Sequence, residues 1–246
     1  MSKNTKNRVM TFTIYRFDPE QDDKPYMKDY QLDLSTVTGT MLLSALEVLK
    51  IQDPTLGFRR SCREGVCGSD GMNINGKNGL ACITKLAELP DRVVLQPLPG
   101  FEVIRDLIIN MDDFFEQYKT VKPFLQSCKD APKDGERLQS PADRAKLDGL
   151  YECILCACCS SSCPSYWWNP DKFLGPATLL ASYRFVVDSR DTEKEARLSD
   201  LKDPYKVFRC RTISNCSYVC PKGLNPTHAI GHLKHEMITF SNSNQD

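Results

Sequence analysis

Alternation of apolar and polar residues predicts β-strands in the first hundred residues of the chain. Residues 9–17 alternate so that one face is apolar, and residues 30–34 repeat this pattern. Residues 72–82 form a predicted hairpin that turns at Asn75-Gly76-Lys77. The segment Val93–Gln96 is the last strand that the pattern predicts.

Apolar side chains that recur every three or four residues predict the helices. The first helix spans residues 40–50, with Thr38 as its N-terminal cap. The helical spacing begins again at Val103. Further helices are predicted over residues 176–188 and 226–240.

The change of period predicts a domain boundary near residue 105. We therefore expect an α+β chain, with an N-terminal domain over residues 1–105 and an all-α domain over residues 106–246. Residues 129–140 are polar and contain Pro and Gly, which is typical of a linker. Ser140 at its end is the predicted cap of the next helix.

Composition and charge limit the partners of the chain. Lys and Arg together number 32, as do Asp and Glu, so no net charge favours nucleic acid. No apolar run reaches the ~18 residues of a membrane span, so we expect no membrane crossing by this chain itself. Residues 1–9 are polar and basic and resemble neither a signal peptide nor a transit peptide. Twelve cysteines in such a chain favour metal ligation over disulfides.

One run of cysteines follows a known iron–sulfur spacing. With Cys158 set aside, Cys153, Cys156, Cys159 and Cys163-Pro164 fit C-x2-C-x2-C-x3-C-P. Bacterial ferredoxins hold clusters with this spacing, and their fourth cysteine binds a second cluster. Cys158 is interpreted as a small buried apolar residue, because it and its neighbour cannot easily point at one cluster.

A second run completes two ligand sets. Cys210, Cys216 and Cys220-Pro221 occupy the first, third and fourth positions of the same template, and Ile213 stands at the second. Exchanging the fourth cysteines gives a four-thiolate set, which suits a [4Fe–4S] cluster: Cys153, Cys156, Cys159 and Cys220. Since Ile213 offers no ligand, the remaining three thiolates predict a [3Fe–4S] cluster: Cys163, Cys210 and Cys216.

The N-terminal domain carries a third motif. Cys62, Cys67 and the distant Cys82 fit the plant-type [2Fe–2S] spacing C-x4-C-x2-C…C, with Asp70 at the third position. A carboxylate oxygen is a hard donor that can ligate iron, and we favour Asp70 as the ligand. The alternative is that Asp70 is only a loop carboxylate. Two strands followed by a helix are typical of the β-grasp fold of such ferredoxins.

The sequence alone also allows other interpretations of the candidate metal-binding residues. Paired C-x2-C spacings also bind zinc, so a zinc-stabilised interaction module is one alternative. Cys128 has no partner at a suitable spacing and is interpreted as structural. His228, His232 and His235 lie near one face of the last predicted helix. We interpret them as part of the helix surface.

The order of these motifs resembles the iron–sulfur subunit of succinate dehydrogenase and fumarate reductase. The resemblance covers nearly the whole chain and is most specific in three strings: Arg59–Gly68, Cys163–Pro170 and Cys220–Pro226. The Tyr166-Trp167-Trp168 string is more similar to the succinate dehydrogenase branch. The resemblance implies a β-grasp [2Fe–2S] ferredoxin domain followed by a bacterial-ferredoxin-like helical domain.

The resemblance also implies a membrane complex on the cytoplasmic face of a bacterial inner membrane. In that family a flavoprotein subunit carries FAD and oxidises succinate, the iron–sulfur subunit relays electrons, and cytochrome b-type anchor subunits complete the ubiquinone site. The second tryptophan, here Trp168, lines the ubiquinone pocket, and Pro164 and Ile213 are expected to supply apolar walls. Arg211 stands where the family often has histidine.

No catalytic residue is expected in this chain. It contains neither a G-x-G-x-x-G dinucleotide fingerprint nor an acid–base or nucleophile constellation. The cofactors would therefore supply the chemistry, and the protein would set their positions and potentials. The alternatives are an iron–sulfur subunit of a fumarate reductase or a ferredoxin-type subunit of another flavoenzyme. A soluble carrier would have no need of Trp168 close to Pro164.

Overall fold

The computed structural model describes residues 8–127, 130, 132–133 and 135–243, which fall into two compact units. The first unit comprises Met1–Met111 and Ile154–Ser161, and the second comprises Asp112–Cys153 and Ser162–Asp246. The division at Met111 lies later than the boundary near residue 105 that the sequence predicts. The segment 154–161, which the sequence places in the helical domain, belongs to the first unit. Cys128 lies outside the described residues.

A five-stranded mixed sheet forms the framework of the first unit. Its strands, in chain order, are β1 Val9–Arg16, β2 Tyr26–Asp33, β3 Gly71–Ile74, β4 Lys77–Leu80 and β5 Arg92–Gln96. They are ordered β2-β1-β5-β3-β4, and only the β1–β5 pair is parallel. Each strand predicted from alternation is present. The turn between β3 and β4 uses left-handed backbone at Asn75 and Gly76, as the Asn-Gly pair predicts.

Helix α1, Leu42–Gln52, begins without the predicted Thr38 cap. Its apolar face is fully buried at Leu42, Leu46 and Leu49. At its N-terminus, Leu42 N–H donates to the Thr84 carbonyl at 2.8 Å, and Leu43 N–H donates to the Ala81 carbonyl at 3.0 Å. These loop carbonyls satisfy the first free amides of the helix, so no side-chain cap is needed. They also tie the helix start to the residues around Cys82.

The spacing predicts a helix that begins at Val103, and this prediction is wrong for the residues before Asp112. The chain instead forms a short hairpin of β6, Val103–Arg105, and β7, Ile108–Ile109. Helix α2 begins only at Asp112. Asp106 lies in the turn of this hairpin in left-handed backbone, and its buried carboxylate accepts bonds from distant residues. Tertiary contacts therefore override the local helical pattern.

In the described residues of the second unit, all regular secondary structure is helical. Its helices are α2 Asp112–Thr120, α3 Pro141–Ala145, α5 Pro164–Trp168, α6 Gly175–Val186, α7 Lys194–Asp200, α8 Asn215–Tyr218 and α9 Pro226–Ser243; the remaining short helix, α4 Cys158–Ser161, belongs to the first unit. Ser140 caps α3 as predicted, because its hydroxyl accepts the Asp143 N–H at 3.0 Å. Helices α6 and α9 correspond to the predicted long helices and pack against each other.

Within the described part of the chain, no helix combines enough length with enough apolar character to span a membrane.

Candidate iron–sulfur sites

In the loop that carries Cys62 and Cys67, backbone N–H groups donate hydrogen bonds to a cysteine sulfur. The Cys62 Sγ accepts the backbone N–H groups of Val66 at 3.3 Å and Cys67 at 3.2 Å. Together with the N–H of Glu64, which contributes most, these donors lower the pKa of Cys62 to about 7. Backbone donors stabilise the charged form of the thiol, and the thiolate is the form that binds metal.

Gly68 allows this loop to approach the segment that contains Cys156. Its backbone is left-handed, with φ of 70°. A Cβ at this position would lie 2.8 Å from the Cys156 Cβ and 3.0 Å from the Ile154 carbonyl oxygen. Any side chain would therefore both strain the backbone and displace the segment.

Asp70 and Cys82 form a buried pair within the first unit. Asp70 is 2% exposed, and its Oδ2 accepts the Cys82 N–H at 2.5 Å. Its Oδ1 is buried and accepts no hydrogen bond from the described residues. Burial raises the pKa of Cys82 to about 12, and the adjacent Asp70 carboxylate contributes to the increase. A thiol and a carboxylate held together in this way are suited to a cation that both could ligate.

The short segment with Cys156 and Cys159 is fixed to the sheet by Asn78 on β4. The Asn78 side-chain amide donates to the Cys158 carbonyl at 3.1 Å and to the Ser161 hydroxyl at 2.8 Å. Cys158 is fully buried, which agrees with its interpretation as a packing residue. A hydrogen bond from its side chain is the main cause that lowers the pKa of Cys156. This hydrogen bond favours the charged form of the Cys156 thiol.

In the second unit, Cys153 and Cys220 pack against one group of buried residues. Both are partly buried, and both contact the same cluster: Leu150, Leu180, Leu224 and Ala229. This cluster joins α6 and α9 to the segments that precede Cys153 and follow Cys220. The two cysteines, although far apart in sequence, therefore share one apolar environment.

The remaining predicted set lies around one cavity in the second unit. Cys163, Cys210 and Cys216 all line a cavity of about 330 Å³ that is open to solvent. Pro164 and Ile213 also line it. Burial raises the pKa of Cys163, and the nearby Cys216 and Cys210 thiols raise it further. Mutual repulsion of this kind is relieved when the sulfurs share a cationic cluster.

The loop between Cys210 and Cys216 is bent by unusual backbone. Thr212 and Ser214, on either side of Ile213, both adopt left-handed conformations, with φ of 58° and 69°. Non-glycine residues adopt this region rarely and at a cost, and such residues cluster at functional sites.

Trp168 is not among the residues that line this cavity. It lies at the end of α5 with 63% of its surface exposed, beside the half-exposed Trp167. Large exposed indoles are unusual on a monomeric surface and are typical of an interface.

Thr227 contacts the sulfur of Cys216, which the sequence did not reveal. Its hydroxyl lies 3.2 Å from the Cys216 Sγ, and the Ser217 hydroxyl lies 3.1 Å from the Thr227 hydroxyl. Ser217 in turn donates to the Asn225 side chain at 2.8 Å. No spacing rule links Thr227 to Cys216, because the contact depends on how α9 starts after Asn225.

Across the described residues, no three His, Cys, Asp or Glu side chains converge on a position for a single metal ion.

Comparisons with known proteins identify both halves of the chain. Residues 11–116 match the family model described as a 2Fe-2S iron-sulfur cluster binding domain. Residues 152–225 match the model described as a 4Fe-4S dicluster domain. These two matches cover the three cysteine motifs.

Relatives match over nearly the full length of the chain. The succinate dehydrogenase iron-sulfur subunit of Coxiella burnetii is 65% identical over 236 residues, which are 96% of this chain and all of that protein. The mitochondrial succinate dehydrogenase [ubiquinone] iron-sulfur subunit 1 of Oryza sativa subsp. japonica is 52% identical over 94% of this chain and 82% of its own length.

A solved structure shares the fold. A chain of the Mycobacterium smegmatis Sdh1 complex in the apo form superposes with a TM-score of 0.82, at 23% identity and with 98% of each chain covered. The sequence identities and coverage of the relatives decide the family. The chain belongs to the family of succinate dehydrogenase iron–sulfur subunits.

Proposed function

We propose that this chain is the electron-transfer subunit of a succinate:ubiquinone oxidoreductase, which links the tricarboxylic acid cycle to the respiratory chain. It would accept electrons from FAD on a flavoprotein subunit and pass them one at a time to ubiquinone. The observation that carries this proposal is the cavity lined by Cys163, Cys210, Cys216 and Ile213. Three thiolates with an apolar residue at the second template position suit a [3Fe–4S] cluster.

For the [2Fe–2S] cluster we propose Cys62, Cys67, Asp70 and Cys82 as ligands. The buried Asp70 Oδ1 supports this assignment, since it has no hydrogen-bond donor among the described residues. An unsatisfied buried carboxylate oxygen is costly unless a cation binds it. The lowered pKa of Cys62 also favours a thiolate in the loop.

For the [4Fe–4S] cluster we propose Cys153, Cys156, Cys159 and Cys220. The lowered pKa of Cys156 supports its role as a thiolate ligand. The common apolar surroundings of Cys153 and Cys220 support a site from which water is excluded. Burial of this kind is one of the factors that set cluster potentials.

For the quinone end we propose Pro164, Ile213 and Trp168. Pro164 and Ile213 line the cavity of the three-iron set, and Ile213 is half exposed. An indole combines an apolar ring with one N–H donor, which suits a quinone ring and its carbonyl groups. Trp168 would then meet ubiquinone where membrane anchor subunits of cytochrome b type cover its exposed surface.

The proposed partners are therefore a flavoprotein subunit and membrane anchor subunits. The chain would lie on the cytoplasmic face of a bacterial inner membrane, bound through the anchor. The exposed Trp167 and Trp168 support attachment at this end of the helical unit. Succinate oxidation itself would take place on the flavoprotein.

Replacement of Trp168 by leucine tests the quinone site in the purified complex. Succinate oxidation with a dye that accepts electrons ahead of the quinone site should persist, whereas ubiquinone reduction should fall steeply. Trp167→Leu is the matched control, because Trp167 is the exposed neighbour in the same helix, and it should retain most ubiquinone reduction. Equal loss of both activities in Trp168→Leu would indicate a folding role, and unchanged ubiquinone reduction would remove Trp168 from the site.

A further inference from the structure

All three histidines of the chain lie on α9, and two of them face each other. The Nε2 atoms of His228 and His232 are 3.0 Å apart, and their ring centroids are separated by 4.3 Å. Both side chains are exposed to solvent. They are four residues apart, so they lie on the same face of the helix, one turn apart.

We propose that His228 and His232 form a two-histidine binding site for a transition-metal dication such as Zn²⁺, Ni²⁺ or Cu²⁺. Bonds from such an ion to imidazole nitrogen are about 2.0–2.1 Å long, and two of them at a right angle place the nitrogens about 3.0 Å apart. The observed separation is 3.0 Å. The pair thus already has the spacing of two adjacent ligands on an octahedral or square ion.

The pair is held together without a metal by a hydrogen bond between its rings. At 3.0 Å, one Nε2–H donates to the lone pair of the other Nε2. To bind an ion, both rings must present Nε2 lone pairs and carry their protons on Nδ1. This requires that one ring move its proton from Nε2 to Nδ1, with proton exchange through water.

The surroundings restrain this site. The Tyr183 ring on α6 stacks on His232, with centroids 5.7 Å apart and planes at 16°. The core-facing side of α9 is anchored by buried Ala229 and Leu233. A ring whose orientation is restricted loses less entropy when it binds an ion.

The chain supplies two ligands, and water would fill the other positions. Glu236 lies one turn beyond His232, but its carboxylate is engaged by Lys194 at 2.7 Å. Neutral imidazole suits Zn²⁺, Ni²⁺ and Cu²⁺, and the expected order of affinity places Cu²⁺ first. A bound ion would connect two successive turns of α9 and stabilise the folded helix.

The site is tested by calorimetric titration of Ni²⁺ into the purified complex, prepared without a polyhistidine tag. Ni²⁺ binds imidazole and does not oxidise thiols. Loss of either ring leaves a single contact in place of a chelate, so His228→Ala and His232→Ala should each weaken the site at least about tenfold. His235→Ala is the matched control and should bind as the wild type does. The three variants together test every histidine of the chain.

A second measurement identifies the ligands directly. Cu²⁺ bound at one equivalent should give an EPR spectrum with nitrogen coupling from two imidazoles, and His228→Ala should reduce this to one. The proposal is overturned if the wild type binds no Ni²⁺. It is equally overturned if either alanine variant binds Ni²⁺ with wild-type affinity.

Discussion

Replacing Asp106 by alanine should destabilise the first unit more than any exposed charge change. Asp106 is 1% exposed, and its Oδ1 accepts Arg16 Nε at 3.0 Å and Phe17 N–H at 2.8 Å. Its Oδ2 accepts Gly57 N–H at 2.6 Å. The carboxylate therefore joins the end of β1, the β6–β7 hairpin and the loop that leads to Cys62.

The magnitude follows from what the substitution leaves behind. Removing one partner of a buried ion pair costs about 3–5 kcal/mol, because the other charge stays buried. Arg16 keeps Asp53 at 2.9 Å and Thr55 at 2.7 Å, which places the expected loss near the lower limit. We expect Asp106→Ala to lower the free energy of unfolding by about 3 kcal/mol.

Urea unfolding of the purified chain, followed by circular dichroism, measures this loss. The matched control is Asp91→Asn, which breaks the ion pair of Arg8 with a carboxylate that is 77% exposed. That change should cost less than about 1 kcal/mol. Hydrogen exchange should also become faster at the amides of Phe17 and Gly57 in Asp106→Ala alone. If the two variants had equal midpoints and unchanged exchange, Asp106 would not hold the hairpin and the loop together.

Three further predictions concern single side chains. Thr227→Val removes a hydroxyl 3.2 Å from the Cys216 Sγ and should lower the [3Fe–4S] midpoint potential. A loss of about 1 kcal/mol corresponds to about 40 mV for one electron, and Thr227→Ser should restore the potential in an EPR titration. Ile213→Cys should supply a fourth thiolate and convert [3Fe–4S] to [4Fe–4S]; an unchanged three-iron EPR signal in the oxidised variant would refute this. Burial alone would raise the pKa of Asp53, but hydrogen bonds from Lys28 and its other partners hold the pKa far below its usual value. Its stabilisation is therefore complete above about pH 4 and is lost as pH falls below it. The urea midpoint should fall with acid, and the fall should be smaller in Asp53→Asn.

The sheet and the long helices could be predicted because their burial is periodic. Along β1, the alternating apolar residues Met10, Phe12 and Ile14 are fully buried, so their pattern is sufficient to predict the strand. The hairpin after Val103 could not be predicted, since Asp106 is fixed by Arg16 and Gly57, which are distant in sequence. The prediction of Thr38 as a helix cap was wrong for the same reason. Backbone carbonyls after β4 accept the first N–H groups of α1, and these contacts exist only in the folded chain.

The predicted cysteine sets show what sequence spacing can and cannot predict about the candidate cluster sites. Spacing alone groups Cys163, Cys210 and Cys216, and the structure places these three around one cavity. Spacing does not reveal Asn78 or Thr227, which act through contacts that exist only after folding. The ligand assignments themselves stay predictions.

An EPR redox titration of the purified, anaerobically prepared complex tests the central claim most directly. We predict three independent signals, from one [2Fe–2S], one [4Fe–4S] and one [3Fe–4S] cluster, which together contain about nine irons per chain. The three-iron signal should appear in the oxidised complex and disappear on reduction. Absence of the three-iron signal, with an iron content near four per chain, would contradict the account.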